Sequence, residues 1–224
     1  MSSLIFWTDE TQALVATDTL AVSPDGKPVR FTTKAFIVPH LRLIMAGTGA
    51  GGFLGRWFVQ VNDNMLVRGI EHLDYHTPRI LAAYWLRFKQ EFSITDTNRT
   101  TTVYHFGFSE NTGLIRTFAY RSANEFRSER VGYGLGYKPE CRLPEGYQIP
   151  RDIRRIMDDQ REVQAASPTE GTRLYIGGEI MLHHISKSGF VAYPLDRFED
   201  YATDEEAMYE NFRAEEEKKP SNTE

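Results

Sequence analysis

Apolar residues recur along this chain in two rhythms. Over the first part they come as short runs broken by turn-forming residues. Leu4 to Thr8 and Ala13 to Thr17 flank the polar stretch Asp9-Glu10-Thr11-Gln12, which predicts a β-hairpin. Leu20 to Val22 leads into the turn Pro24-Asp25-Gly26-Lys27-Pro28. Lys34 to Val38 and Leu41 to Ala46 make a further strand pair around Pro39-His40. After the glycines between Gly47 and Gly52 the rhythm becomes helical, with Phe53, Leu54, Trp57, Phe58 and Val61 on one face. Thr77-Pro78 predicts the start of a second helix, threonine as cap and proline in the first turn. Its apolar stripe is Ile80, Leu81, Tyr84, Trp85, Phe88 and Phe92. Strands return at Thr101 to Phe108 and Leu114 to Tyr120, and Arg127 to Tyr137 reads as a weaker extended segment. Pro150 to Ala166 predicts a third helix with Ile153, Ile156, Met157 and Val163 inward. Arg173 to Gly177 and Glu179 to Ile185 read as strands, with Phe190 to Tyr193 continuing the sheet.

That order predicts an α+β fold. Strands joined as hairpins form mainly antiparallel sheets, and helices arriving in a block cover one face. Sheet packed on sheet with helices outside is the simplest burial for so many apolar strands. The stripes on the first two helices are broader than one sheet face needs, so Trp57, Phe58, Tyr84 and Trp85 are expected partly buried between chains, in a homo-oligomer or larger assembly.

Composition narrows the class. The chain has 224 residues, 41% hydrophobic and 25% charged, the profile of one globular domain. Its net charge of −5 lies wholly in residues 203–224, which hold eight acids and three bases. The remaining 23 acids and 23 bases cancel, so no basic excess marks a nucleic-acid partner. Residues 1–202 are expected as the domain and 203–224 as an acidic tail, helical over 204–219 and disordered over 220–224. The single Cys141 excludes a disulfide framework and a cysteine-cluster zinc site. The N-terminus lacks the basic region of a signal peptide. The uncharged run Leu43 to Gly55 is too short and glycine-rich to cross a bilayer. No membrane association and a cytoplasmic location are expected.

Ala13-Leu14-Val15-Ala16-Thr17-Asp18-Thr19, Lys34-Ala35-Phe36-Ile37-Val38-Pro39-His40-Leu41, Met45-Ala46-Gly47-Thr48-Gly49 and Tyr175-Ile176-Gly177-Gly178 together resemble segments of the N-terminal-nucleophile hydrolases of the proteasome β-subunit type. The resemblance covers roughly residues 2–200 and implies a four-layer αββα sandwich of two mainly antiparallel sheets. It implies Ser2 as nucleophile once Met1 is removed, with Asp18 and Lys34 lying 16 and 32 positions later, as that family spaces them. A serine hydroxyl needs a neighbouring base, and a free α-amine with a pKa near ~8 can serve. Lys34 would lower that pKa, Asp18 would hold Lys34, and the Gly47 N–H at a strand-to-helix turn would stabilise the oxyanion. The substrate so implied is a peptide or amide, with no cofactor and no metal. Arg173 and Ile176 stand where the family carries an Asp and a Ser that orient the amine, and Gly132-Tyr133-Gly134-Leu135-Gly136 lacks the expected serine. The alternative implied is therefore a catalytically silent structural or assembly subunit.

Other patterns are weaker. Gly47-x-Gly49-x-x-Gly52 has the form of a dinucleotide fingerprint without the second parallel strand that motif needs. His72 and His76 have helical chelating spacing but no carboxylate partners, and His183 and His184 face opposite sides of a strand. Asn98-Arg99-Thr100 is a glycosylation sequon expected to be idle.

Overall fold

A computed structural model describes residues 3–23, 25–95, 99–166 and 173–218. The first hairpin forms where the alternation predicts it. Strand β1 (Leu4–Thr8) pairs antiparallel with β2 (Gln12–Asp18), Leu4 opposite Thr17. Asp9 closes the turn, its carboxylate accepting the Thr11 and Gln12 N–H groups at 2.6 and 3.0 Å. β3 (Leu20–Val22) and β4 (Pro28–Phe31) make a small separate ribbon.

Two five-stranded sheets follow. One holds β5 (Ala35–Val38), β6 (Leu43–Thr48), β7 (Thr102–Phe108), β8 (Ile115–Arg121) and β9 (Ser128–Val131) in chain order. The other runs β10 (Gly134–Lys138), β1, β2, β11 (Glu179–Ser186), β12 (Gly189–Arg197). Every pairing in both is antiparallel. The weakly patterned segment 127–137 thus divides between them, β9 at the edge of one sheet and β10 at the edge of the other.

Helices α1 (Phe53–Asn64) and α2 (Ile70–Glu91) cover the outer face of the first sheet, and α3 (Ile153–Ala165) the outer face of the second. Three apolar cores fill the three interfaces: Trp57, Leu81 and Val103 under α1 and α2, Phe6, Val15 and Phe106 between the sheets, Ile5, Ile156 and Leu182 under α3. β7 is buried at all seven positions because both its faces are covered. The fold is an α+β four-layer αββα sandwich. α4 (Tyr201–Lys218) lies on β4, with Met208 buried, Tyr201 stacked on Phe31 and Asn211 donating to the Pro28 carbonyl. The end expected to be disordered, 220–224, falls outside the described residues. No helix among the described residues is long and apolar enough to cross a membrane.

Four expectations are corrected. Thr77-Pro78 lies inside α2, which starts at Ile70. The true cap is remote: the Glu110 carboxylate, on the β7–β8 turn, accepts the N–H groups of Glu71 and His72 at 3.0 and 2.7 Å. The Thr77 hydroxyl instead donates back to the Leu73 carbonyl, one helical turn earlier. Val163 is 47% exposed, because the inward stripe of α3 runs Ile153, Ile156, Met157 and Gln160. Residues 173–177 form no strand: the Gly177 carbonyl accepts Thr19 and Leu20 N–H groups across the loop, and Gly178 has φ +78°. A Cβ at Gly178 would stand 2.3 Å from the Thr19 hydroxyl, so only glycine fits. Trp57 and Trp85 are 0% and 7% exposed and belong to the chain's own core, packed on His105 and Phe53, not to a surface between chains.

Candidate active site

Asp18 ends β2, and its buried carboxylate faces three donors. Ser3 sits one step beyond the Leu4–Thr17 pair, and its N–H donates to Asp18 Oδ1 at 2.9 Å. The Lys34 Nζ donates to Asp18 Oδ2 at 2.9 Å, and the Gly177 N–H donates to the same oxygen at 3.2 Å. Lys34 also donates to the Leu20 carbonyl at 2.6 Å. Asp18 is 0% and Lys34 9% exposed, so the pair is dry. Burial pulls the Lys34 ammonium below the ordinary lysine pKa, and the Asp18 charge opposes that fall. An ammonium has three N–H groups. Two are engaged by Asp18 and Leu20, and no third partner occurs among the described residues.

Gly47 is the second-to-last residue of β6, with α1 beginning only at Phe53, so it lies in a strand rather than at a strand-to-helix turn. Ala35 pairs with Ala46, and one step along that register brings Gly47 level with Lys34. A Cβ on Gly47 would press at 3.0 Å against the Thr102 carbonyl, which explains the glycine. Three of the four sequence-derived site residues are thereby placed: Asp18 and Lys34 touch, and Gly47 aligns with Lys34. Ser2 lies outside the described residues. Beyond Gly47 a cleft of about 300 Å³ opens, lined by Thr48, Gly49, Thr102, Lys138, Pro139 and Leu174. A larger hollow of about 580 Å³ between α1 and α2 is lined by none of these residues.

Two further residues belong to this corner and were not singled out by motif. Ser3 donates its hydroxyl to Gln160 Oε1 at 2.5 Å, and Gln160 Nε2 donates to the Pro139 carbonyl at 2.7 Å. Gln160 occupies the fourth inward position of the α3 stripe, where a glutamine among Ile153, Ile156 and Met157 was the available signal. Ile176 is buried, and Arg173 is exposed with its guanidinium 5.2 Å over the Tyr175 ring. Neither side chain can accept a hydrogen bond.

The glycine fingerprint fails on context, since β6 is antiparallel to both neighbours. His72 and His76 meet on α2 with Nε2 atoms 3.2 Å apart, and His72 Nδ1 accepts the Arg68 N–H. His183 is buried, while His184 reaches Gln12 at 2.9 Å. Among the described residues no group of three or more His, Cys, Asp or Glu is placed to hold a metal ion. The sequon's Asn98 lies outside the described residues.

Comparison with known proteins corrects the motif-based resemblance. No protein-family profile matches this sequence, and no curated protein matches it. The four segments are therefore not a family signature in this chain. Solved structures do match in shape. Anbu (ancestral beta-subunit) from Yersinia bercovieri superposes with a TM-score of 0.57 at 10% identity, over 100% of this chain and 99% of that one. An Anbu (Gly-1) mutant from Hyphomicrobium sp. strain MC1 gives 0.58 at 11% identity, over 100% of both chains. A second Anbu structure from that strain gives 0.55 at 11%, again over 100% of both. At such identities the likeness is one of architecture, and the chain has a fold similar to that of Anbu.

Proposed function

We propose that this protein hydrolyses an amide or peptide bond, with the Ser2 hydroxyl as nucleophile and the Ser2 α-amine as its base. The observation that supports the reading is the dry Asp18–Lys34 pair next to Ser3, with one ammonium N–H left over. A buried ion pair contributes little net stability, because desolvation cancels most of its attraction. Its retention beside the N-terminal strand, level with Gly47 and next to an open cleft, is what a nucleophile-activating group requires.

In this reading the Ser2 oxygen attacks the substrate carbonyl carbon and its proton passes to the amine. Lys34 lowers the pKa of that amine and keeps it unprotonated between turnovers. The negative oxygen of the tetrahedral intermediate is held by the Gly47 N–H. The carbon–nitrogen bond then breaks, the leaving nitrogen takes the proton from the amine, and water releases the acyl group by the same path. The amine must be free, so whatever precedes Ser2 has to be removed. Residues 1–202 carry this machinery, and a reducing cytoplasm is the proposed setting.

A second reading rests on Ile176. Its buried side chain cannot accept a hydrogen bond from an amine, which favours a silent subunit that assembles with copies of itself or other chains. Intact-mass measurement and a serine-acylating β-lactone probe separate the two. The hydrolase loses Met1 and gains one probe mass, and Ser2→Ala abolishes the adduct with the fold unchanged. A retained Met1, or an unlabelled protein with a free Ser2, removes the hydrolase reading.

A further inference from the structure

We infer that Gln160 is a positioning residue for this site, fixing Ser3 at the start of the N-terminal strand, next to the proposed nucleophile; the inference rests on the Ser2 reading. Gln160 is completely buried on the inward stripe of α3. A glutamine there is costly unless its polar atoms are satisfied, and a leucine or methionine would fill the same space without that cost. Its amide is satisfied on both sides. The Pro139 carbonyl can only accept, so the NH2 group must face it, at 2.7 Å, and the carbonyl oxygen is left to accept the Ser3 hydroxyl at 2.5 Å.

Ser3 is consequently pinned at two points by two layers. Its N–H is held by Asp18 of β2 and its hydroxyl by Gln160 of α3. With both fixed, Ser3 cannot shift without breaking a buried hydrogen bond. The positions that resembled an amine-orienting pair, Arg173 and Ile176, offer no side-chain acceptor, which leaves room for another side chain in that role. The Ser3–Gln160–Pro139 chain is a second polar network, beside that of Asp18, that reaches Ser3. It also ends at Pro139, in the wall of the 300 Å³ cleft, so it ties the N-terminal strand to the side from which substrate would enter.

The test measures the β-lactone labelling rate of the full chain against pH, with a thermal melt of each variant. Gln160→Met and Ser3→Ala are expected to slow labelling roughly 10- to 100-fold while melting cooperatively, since small misplacements of a nucleophile carry penalties of that size. Gln160→Glu is expected to be slow at neutral pH and to recover as the pH falls and its carboxyl, once protonated, donates to Pro139 again. The wild type runs the other way, losing rate as its amine takes up a proton. A purely structural Gln160 would lower the melting temperature and leave the pH profile unmoved. If Gln160→Met does not fold, Ser3→Ala, which removes a single hydroxyl, decides. A labelled wild type with Ser3→Ala and Gln160→Glu matching its rate and profile overturns this inference alone. An unlabelled wild type overturns it together with the Ser2 reading.

Discussion

Two buried titratable centres, Lys34 beside β5 and His105 on β7, are held in opposite ways. Lys34 meets Asp18 at 2.9 Å and the Leu20 carbonyl at 2.6 Å, so its charge has partners. His105, on β7 beneath α1, has one: its Nε2 accepts the Trp57 indole N–H at 2.9 Å, while its Nδ1 has none. Burial alone drives the His105 pKa down to about 3, so the ring is neutral, and it lies parallel to Trp57, edge to edge along that hydrogen bond. Desolvation acts on both groups, but only Lys34 faces an opposing charge. The difference teaches that this interior keeps a charge only where acceptors converge on it. The place where they converge is beside the N-terminal strand.

The largest test breaks the charged centre. Asp18→Ala leaves Lys34 buried without its counter-charge and strips the Ser3 and Gly177 N–H groups of their acceptor. We expect a loss of about 3–5 kcal/mol in denaturant unfolding, together with loss of probe labelling. A variant as stable as wild type would show that the pair is not dry in solution.

The neutral centre is sharpened by pH. With a folded pKa of about 3 against an ordinary 6.5, His105 binds its proton more readily in the unfolded chain. Its contribution is therefore complete above about pH 6.5 and is lost as pH falls toward 3, at up to about 1.4 kcal/mol per pH unit. His105→Gln, which keeps an acceptor for Trp57, should flatten the acid limb of a melting-temperature profile. An unchanged limb would mean that other groups govern acid unfolding.

Replacing the whole ion pair asks what it is for. The double variant Asp18→Asn, Lys34→Met should return to within about 1 kcal/mol of wild type while remaining unlabelled. If it is as unstable as Asp18→Ala, the pair serves the fold rather than a reaction. The smallest effect belongs to the surface. Arg56 and Glu91 form a bidentate pair at 2.6 Å with both side chains about half exposed. Arg56→Ala should leave the melting temperature unresolved from wild type, because water and salt screen such pairs. A clear drop there would undo the contrast between buried and exposed charge.

Much of the architecture was legible in local pattern. The β1–β2 hairpin follows from alternation around a polar turn, and α1 from the spacing of Phe53, Trp57 and Val61. The motif resemblance singles out Asp18, Lys34 and Gly47, and the first two do meet. Their apparent family signature did not survive comparison, because short apolar segments ending in a common residue arise readily in any strand-rich chain.

What local pattern could not supply depends on residues far apart in the chain. The start of α2 is set by Glu110, 39 positions from the N–H it caps, and a proline at a permitted first-turn position mimicked a start eight residues late. The split of 127–137 between two sheets reflects which edges were vacant, not any feature of those residues. Gln160 lies 157 positions from the Ser3 hydroxyl it accepts. The sequence by itself determined which residues are apolar, at what period, and hence the hairpins, the helices and their buried faces, since those follow from backbone geometry within a few residues. Which polar groups are satisfied in the interior was decided only by the tertiary structure, because a buried hydrogen bond needs its partner brought from another layer and held dry.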